Sequence, residues 1–147
     1  MKLKKYHSYI YLLFFKNFFK ISFVFFCTVV IINIFEEIKF SEKYETDIIF
    51  SVYLSILNAP SLMFEIFPFI FLITIKFFYL NLLERNELSI LNINGISNLK
   101  LISLLSFLVL ILGLFLIVFF YSFSSNLKSN YLDIKNRYSN TNEYLAV

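Results

Sequence analysis

The sequence predicts an all-α integral membrane protein with three transmembrane helices and a short cytoplasmic helix between the second and third. Three observations predict it. Of 147 residues, 59% are hydrophobic and only 16% charged, where a soluble domain carries roughly 25% charged residues, and the mean hydropathy is +0.76. The apolar residues gather into runs at about 12–35, 60–83 and 99–123, each long enough for the roughly 20 residues that cross a bilayer as a helix. One semi-polar island, Leu83 to Ser97, separates the second run from the third.

Composition also excludes several function classes. A net charge of +3 is too small a footprint for a nucleic-acid binder. Cys27 is the only cysteine and His7 the only histidine, so neither an intrachain disulfide nor a His/Cys metal cluster can be built. Cys27 reads as a small apolar residue of a membrane helix, and His7 as an interfacial side chain. With two glycines there is no glycine loop to cradle phosphates. No cofactor is expected, and ATP, if it drives the protein, must be bound by another subunit. Glu36-Glu37 and Glu84…Glu87 are the closely spaced carboxylates, and without a histidine or metal set they read as solvated charges rather than an acid–base pair.

Lys2, Lys4 and Lys5 with Tyr6, Tyr9 and Tyr11 form a basic, aromatic edge suited to headgroups. A cleaved signal peptide is disfavoured because Asn33-Ile34-Phe35-Glu36-Glu37 offers no small-residue cleavage site. The first run is therefore a retained helix, with Lys16 and Lys20 one turn apart. Glu36 to Asp47 is acidic and is expected to be the first loop. From Ile48 the chain is apolar through Leu83, longer than one bilayer thickness, and Pro60 and Pro68 each remove a backbone N–H, so a bend is expected between them. Lys76 lies inside this run. A charge near a span centre costs about 2.5–3.5 kcal/mol on insertion scales, so Lys76 either snorkels to the cytoplasmic headgroups or faces protein or a cavity. The third run holds Lys100, scattered serines and Gly113. Ser124 to Val147, polar and without an apparent buried face, is the start of an extracytoplasmic segment.

Basic residues set orientation, and the first helix usually dominates. Lys2, Lys4, Lys5, Lys16 and Lys20 place the N-terminus in the cytoplasm, the first loop outside, the island inside and the tail outside. Lys128, Lys135 and Arg137 in the tail run against this count, and Arg85 and Lys100 beside the island run with it.

Within the island Asn86 suits an N-cap, Glu87 the first helical position, where the dipole favours a carboxylate, and Gly95 a C-terminal stop. A helix over about 86–95 follows. At 100° per residue, Glu87, Ile90, Leu91 and Asn94 share one face and Leu88, Ser89, Asn92 and Ile93 the other. Apolar and polar groups on both faces suit a helix held between a membrane domain and a partner protein, and equally a loop helix resting on headgroups.

Asn86-Glu87-Leu88, then Ile90-Leu91, then Asn94-Gly95-Ile96-Ser97 resembles the segment between the second and third helices of the lipopolysaccharide export permeases LptF and LptG. Ile66-Phe67-Pro68-Phe69 is similar to the family's apolar-Pro-apolar entry to helix two. Pro60 matches an earlier proline, and Tyr9-Ile10 resembles the N-terminal edge. The chain departs from the family at Phe77-Phe78-Tyr79, where small residues are common.

The resemblance implies the N-terminal membrane part of a permease subunit of an ABC-type exporter, with the catalytic ATPase in a separate LptB-type dimer. A companion permease, LptF or LptG, and an LptC-like periplasmic bridge component are the implied partners, and lipopolysaccharide the cargo. The island is then the coupling helix, with Glu87, Leu88, Leu91, Asn94 and Gly95 as its ATPase-facing set. Lys39 and Lys43 match the neighbourhood that meets lipid A phosphates in the LptG type, and Glu36-Glu37-Ile38-Lys39 looks more like LptG than LptF. The inner membrane of a Gram-negative bacterium is the implied location. Because family members continue into a periplasmic β-rich domain and further helices, a fragment or split subunit is expected. A small three-span interaction protein without a transport role is the alternative that hydrophobicity and topology also allow.

Overall fold

The computed structural model describes residues 2–44 and 46–139, with side chains from Tyr6 to Tyr138. Glu45 of the expected first loop, residues 140–147 of the expected tail and the Lys2, Lys4 and Lys5 side chains lie outside the described residues. All elements within them are helical: α1 (Lys2–Lys43), α2 (Ile48–Glu84), α3 (Glu87–Ile93), α4 (Asn98–Phe115), a π-helical stretch Leu116–Phe120, and α5 (Tyr121–Ser139). Among the described residues, three helices are long and apolar enough to cross a membrane, within Tyr6–Lys43, Ile48–Glu84 and Asn98–Tyr138. The short α3 lies between the second and third, as the sequence predicts.

Two boundaries differ from the expectation. Glu36 to Asp47 is helical through Lys43, because Asn33, Glu37, Phe40 and Ser41 recur at helical spacing and are all buried. Only Tyr44, Thr46 and Asp47 of the described residues then separate α1 from α2. The polar tail is helical to Ser139 and has a buried face of its own, carried by Ser124, Tyr131 and Lys135. α2 is continuous through both Pro60 and Pro68.

The chain forms two compact units, one from the described residues of Met1–Phe23 and Phe67–Phe115, the other from those of Val24–Ile66 and Leu116–Val147. In the first unit α1 buries Ile10, Leu13, Phe14, Asn17 and Phe18, and α2 buries Phe67, Ile70, Thr74, Phe78 and Leu82. Both sets recur every three or four residues, the spacing of a helix–helix seam. Phe18 stacks on Phe71 at 5.3 Å between ring centroids, and Phe14 meets Phe78 at 6.3 Å with the rings inclined by 60°. Aromatic rings thus fill much of the seam. Apolar area contributes little to helix association in lipid, so packing and interhelical hydrogen bonds decide the register. Asn81 donates to Asn17 Oδ1 at 2.9 Å, a contact worth about 0.6 kcal/mol on average and at most about 1.7 in a membrane. That modest energy adds to the ring packing in favouring this register of α1 and α2.

The second unit is held by a ladder of polar contacts between α1 and α2. Ser41 and Ser51 hydroxyls lie 2.6 Å apart, Ser51 donates to the Glu37 carbonyl at 3.1 Å, and Asn33 Nδ2 donates to the Ser55 carbonyl at 3.3 Å. Phe40, Leu54 and Tyr131 form its apolar core.

Candidate functional site

In the first unit, α3 is built by two left-handed residues. Asn86, expected as a side-chain N-cap, has φ 54° and makes no capping hydrogen bond through its side chain. Its backbone N–H instead bonds the Leu83 carbonyl at 3.0 Å, so Asn86 terminates α2. Asparagine serves both purposes, because it caps helix starts and also tolerates the left-handed conformation. At the other end Gly95 has φ +84°. Its N–H bonds the Asn92 carbonyl and the Ile96 N–H bonds the Leu91 carbonyl, both at 3.0 Å, the paired pattern of a Schellman stop. A Cβ on Gly95 would meet nothing within 4 Å, so the backbone conformation, not space, selects glycine. Leu91 and Ile96, the residues flanking this stop, are both buried.

Glu87 opens α3 and is fixed on two sides. The Tyr9 hydroxyl lies 2.9 and 2.8 Å from its two carboxylate oxygens and donates to them, and the Arg85 guanidinium is 3.9 Å away. The Glu87 side chain is therefore only 22% exposed. Leu88 is half-buried at a cleft of about 420 Å³ that it lines with Ile75, Tyr79, Ile102 and Leu105. Asn94 turns back on its own helix, donating from Nδ2 to the Ile90 carbonyl at 2.7 Å. Lys100 donates to the Gly95 carbonyl at 3.2 Å, a cation at a helix C-terminus. Ser97 accepts the Leu101 N–H on its carbonyl at 3.0 Å, which makes it the residue from which α4 starts.

These contacts orient α3. Leu91 is buried, whereas Ile90 is 50% and Ile93 86% exposed, and Ser89, Asn92 and Asn94 are exposed beside them. The predicted set is brought together, but not as one face: Leu91 holds α3 to its own unit, and Ile90 and Ile93, left out of the sequence-based set, form its outward surface.

The second unit holds a cluster that sequence reasoning missed. Glu37 is fully buried, and its Oε1 accepts from the Tyr131 hydroxyl at 2.7 Å and from Lys135 Nζ at 2.9 Å. Lys135 also donates to the Tyr131 hydroxyl at 2.6 Å and sits 4.8 Å from the Phe40 ring centroid. Glu37 Oε2 has no hydrogen-bond partner among the described residues. So Glu37, expected as a solvated charge, is one half of a buried ion pair joining α1 to α5. Lys39 and Lys43 are exposed, with Lys43 Nζ 5.3 Å from the Tyr44 ring centroid. Two residues on from Glu37, Lys39 points to the opposite side of α1.

Comparison with curated proteins and with solved structures gave no significant match. Three membrane-crossing helices, a short helix built between the second and third, and its glutamate at the first position are joined by a direct match: residues 8–147 fit the model of the lipopolysaccharide export system permease LptF/LptG, and the chain belongs to that family of transport permeases.

Proposed function

We propose that the chain is the N-terminal membrane part of a permease subunit, LptG-like in its Glu36-Glu37-Ile38-Lys39 pattern, that couples lipopolysaccharide movement to ATP hydrolysed by a partner. Membership alone makes it a permease component of lipopolysaccharide export and a multi-pass inner-membrane protein. The finer reading assigns α3 as the coupling helix that docks on an LptB-type ATPase dimer, beside a companion LptF or LptG permease and an LptC-like bridge component. The observation that carries it is the build of α3. Two left-handed residues fix its ends, Tyr9 and Arg85 hold Glu87, and Ile90 and Ile93 are left exposed. A helix that only rested on headgroups needs no such fixing.

The count of basic residues, which puts α3 on the cytoplasmic side, supports the same reading. Lys135, one of the three tail cations that counted against it, is neutralised by Glu37.

Purification of the tagged full-length gene product from its own membranes tests the proposal. An ATPase subunit in the complex is expected, and its absence would overturn the reading. On the outer side, Lys39→Glu is expected to lower lipopolysaccharide photocrosslinking at the end of α1 severalfold, because it replaces an exposed cation with a charge that repels phosphate. Unchanged crosslinking would make Lys39 an ordinary solvated lysine.

A further inference from the structure

In its first-unit part, α2 has a second face, opposite the seam it buries. At 100° per residue, Phe69, Leu72, Lys76, Leu80 and Leu83 fall within about 40° of the direction opposite Phe67, Ile70, Thr74, Phe78 and Leu82. Phe69 is 66% exposed, Leu72 65%, Leu80 39% and Leu83 57%, and Lys76 at the centre of the row is exposed too. An apolar face of this kind belongs to lipid. The ammonium in its middle does not.

Lys76 lies seven residues, about 10 Å at 1.5 Å per residue, inside Leu83, where the apolar run ends. Cα–Cβ bonds in a helix tilt toward its N-terminus, which for α2 is away from that nearer end. Reaching the nearer headgroups would send the lysine stem against its own tilt. Among the described residues the ion pairs are Arg85–Glu87 and Lys135–Glu37, so no carboxylate of the chain meets Lys76 there. Ionisable residues within spans almost always face protein or a water-filled cavity and are paired.

We propose that this face of α2 docks a transmembrane helix, other than the three of this chain, that carries an Asp or Glu at the depth of Lys76. A second copy does not fit. Copies share one orientation in the membrane, which would bring Lys76 against Lys76, and the carboxylate within the predicted spans, Glu65, lies eleven residues earlier in α2. The proposal rests on the chain spanning the membrane and not on the role of α3.

The test places a photoreactive residue at Phe69 or at Leu80 of the full-length chain in its own membrane and identifies the adducts by peptide sequencing. Both probes are expected to join one transmembrane peptide with an Asp or Glu in register with Lys76. The yield should fall at least tenfold in Lys76→Glu, persist in Lys76→Arg, and return when the partner's carboxylate is exchanged for lysine in the Lys76→Glu background. Adducts to lipid alone, to a second copy, or to a peptide without an acidic residue would overturn it, as would a yield indifferent to the charge at position 76. If Lys76→Glu fails to insert, the identity of the wild-type adduct decides alone.

Discussion

Replacing Lys135 with methionine is expected to destabilise the chain by about 3–5 kcal/mol, the cost of stranding one member of a buried ion pair. The size follows from burial: the Glu37 side chain is 1% exposed and that of Lys135 10%, so water screens the pair little. Glu37 Oε1 would keep the Tyr131 hydroxyl, which tempers the loss without replacing a charge. Replacing both members, Glu37→Leu with Lys135→Met, should recover most of the loss, since a buried pair exchanged for apolar groups of similar volume is often neutral. Unfolding midpoints of the two single variants and the double variant in the same detergent measure the coupling. Additive losses would show that Glu37 and Lys135 act separately.

Changing Glu87 to lysine should leave the chain inserted but lower the amount of co-purifying ATPase at least tenfold, a loss of about 1.4 kcal/mol in binding. Three effects act together. The Tyr9 hydroxyl loses a charged acceptor, and hydrogen bonds to charged groups contribute about 1.5–3 kcal/mol, less here because Tyr9 is 36% exposed. Arg85, 3.9 Å from the carboxylate, would face a like charge. A cation would also replace an anion at the start of α3, where the dipole favours the anion. Glu87→Gln, which keeps an acceptor for Tyr9, should lose less. Equal ATPase recovery from wild type and Glu87→Lys would remove Glu87 from the proposed coupling contact.

The spans and α3 were legible because their signals are local. Three apolar runs of membrane length and one glycine able to hold a left-handed stop sufficed. Glu37, Tyr131 and Lys135 were not legible, because the contacts span 94 and 98 residues of chain. Their row on α5, Ser124, Tyr131 and Lys135, is polar, so a search for apolar periodicity passes over it. The helical spacing of Tyr131 and Lys135, four apart, was the available sign. Asn86 stands at the N-cap position of α3 as expected, but its side chain makes no capping bond and its left-handed backbone closes the end of α2 instead, since its residue type fits both. In α3, facial arithmetic grouped Ile90 with Leu91 but could not say which of them the tertiary contacts would bury.

If α3 couples the permease to an ATPase, Ile93 is the residue to ask, being 86% exposed on the outward surface and outside the contacts that fix the helix. A photoreactive side chain at Ile93, activated in intact cells, should join the chain to the nucleotide-binding subunit, and the adduct should vanish in the Glu87→Lys background. Adducts to lipid alone at Ile93 would contradict the account and return α3 to a helix lying on the membrane surface.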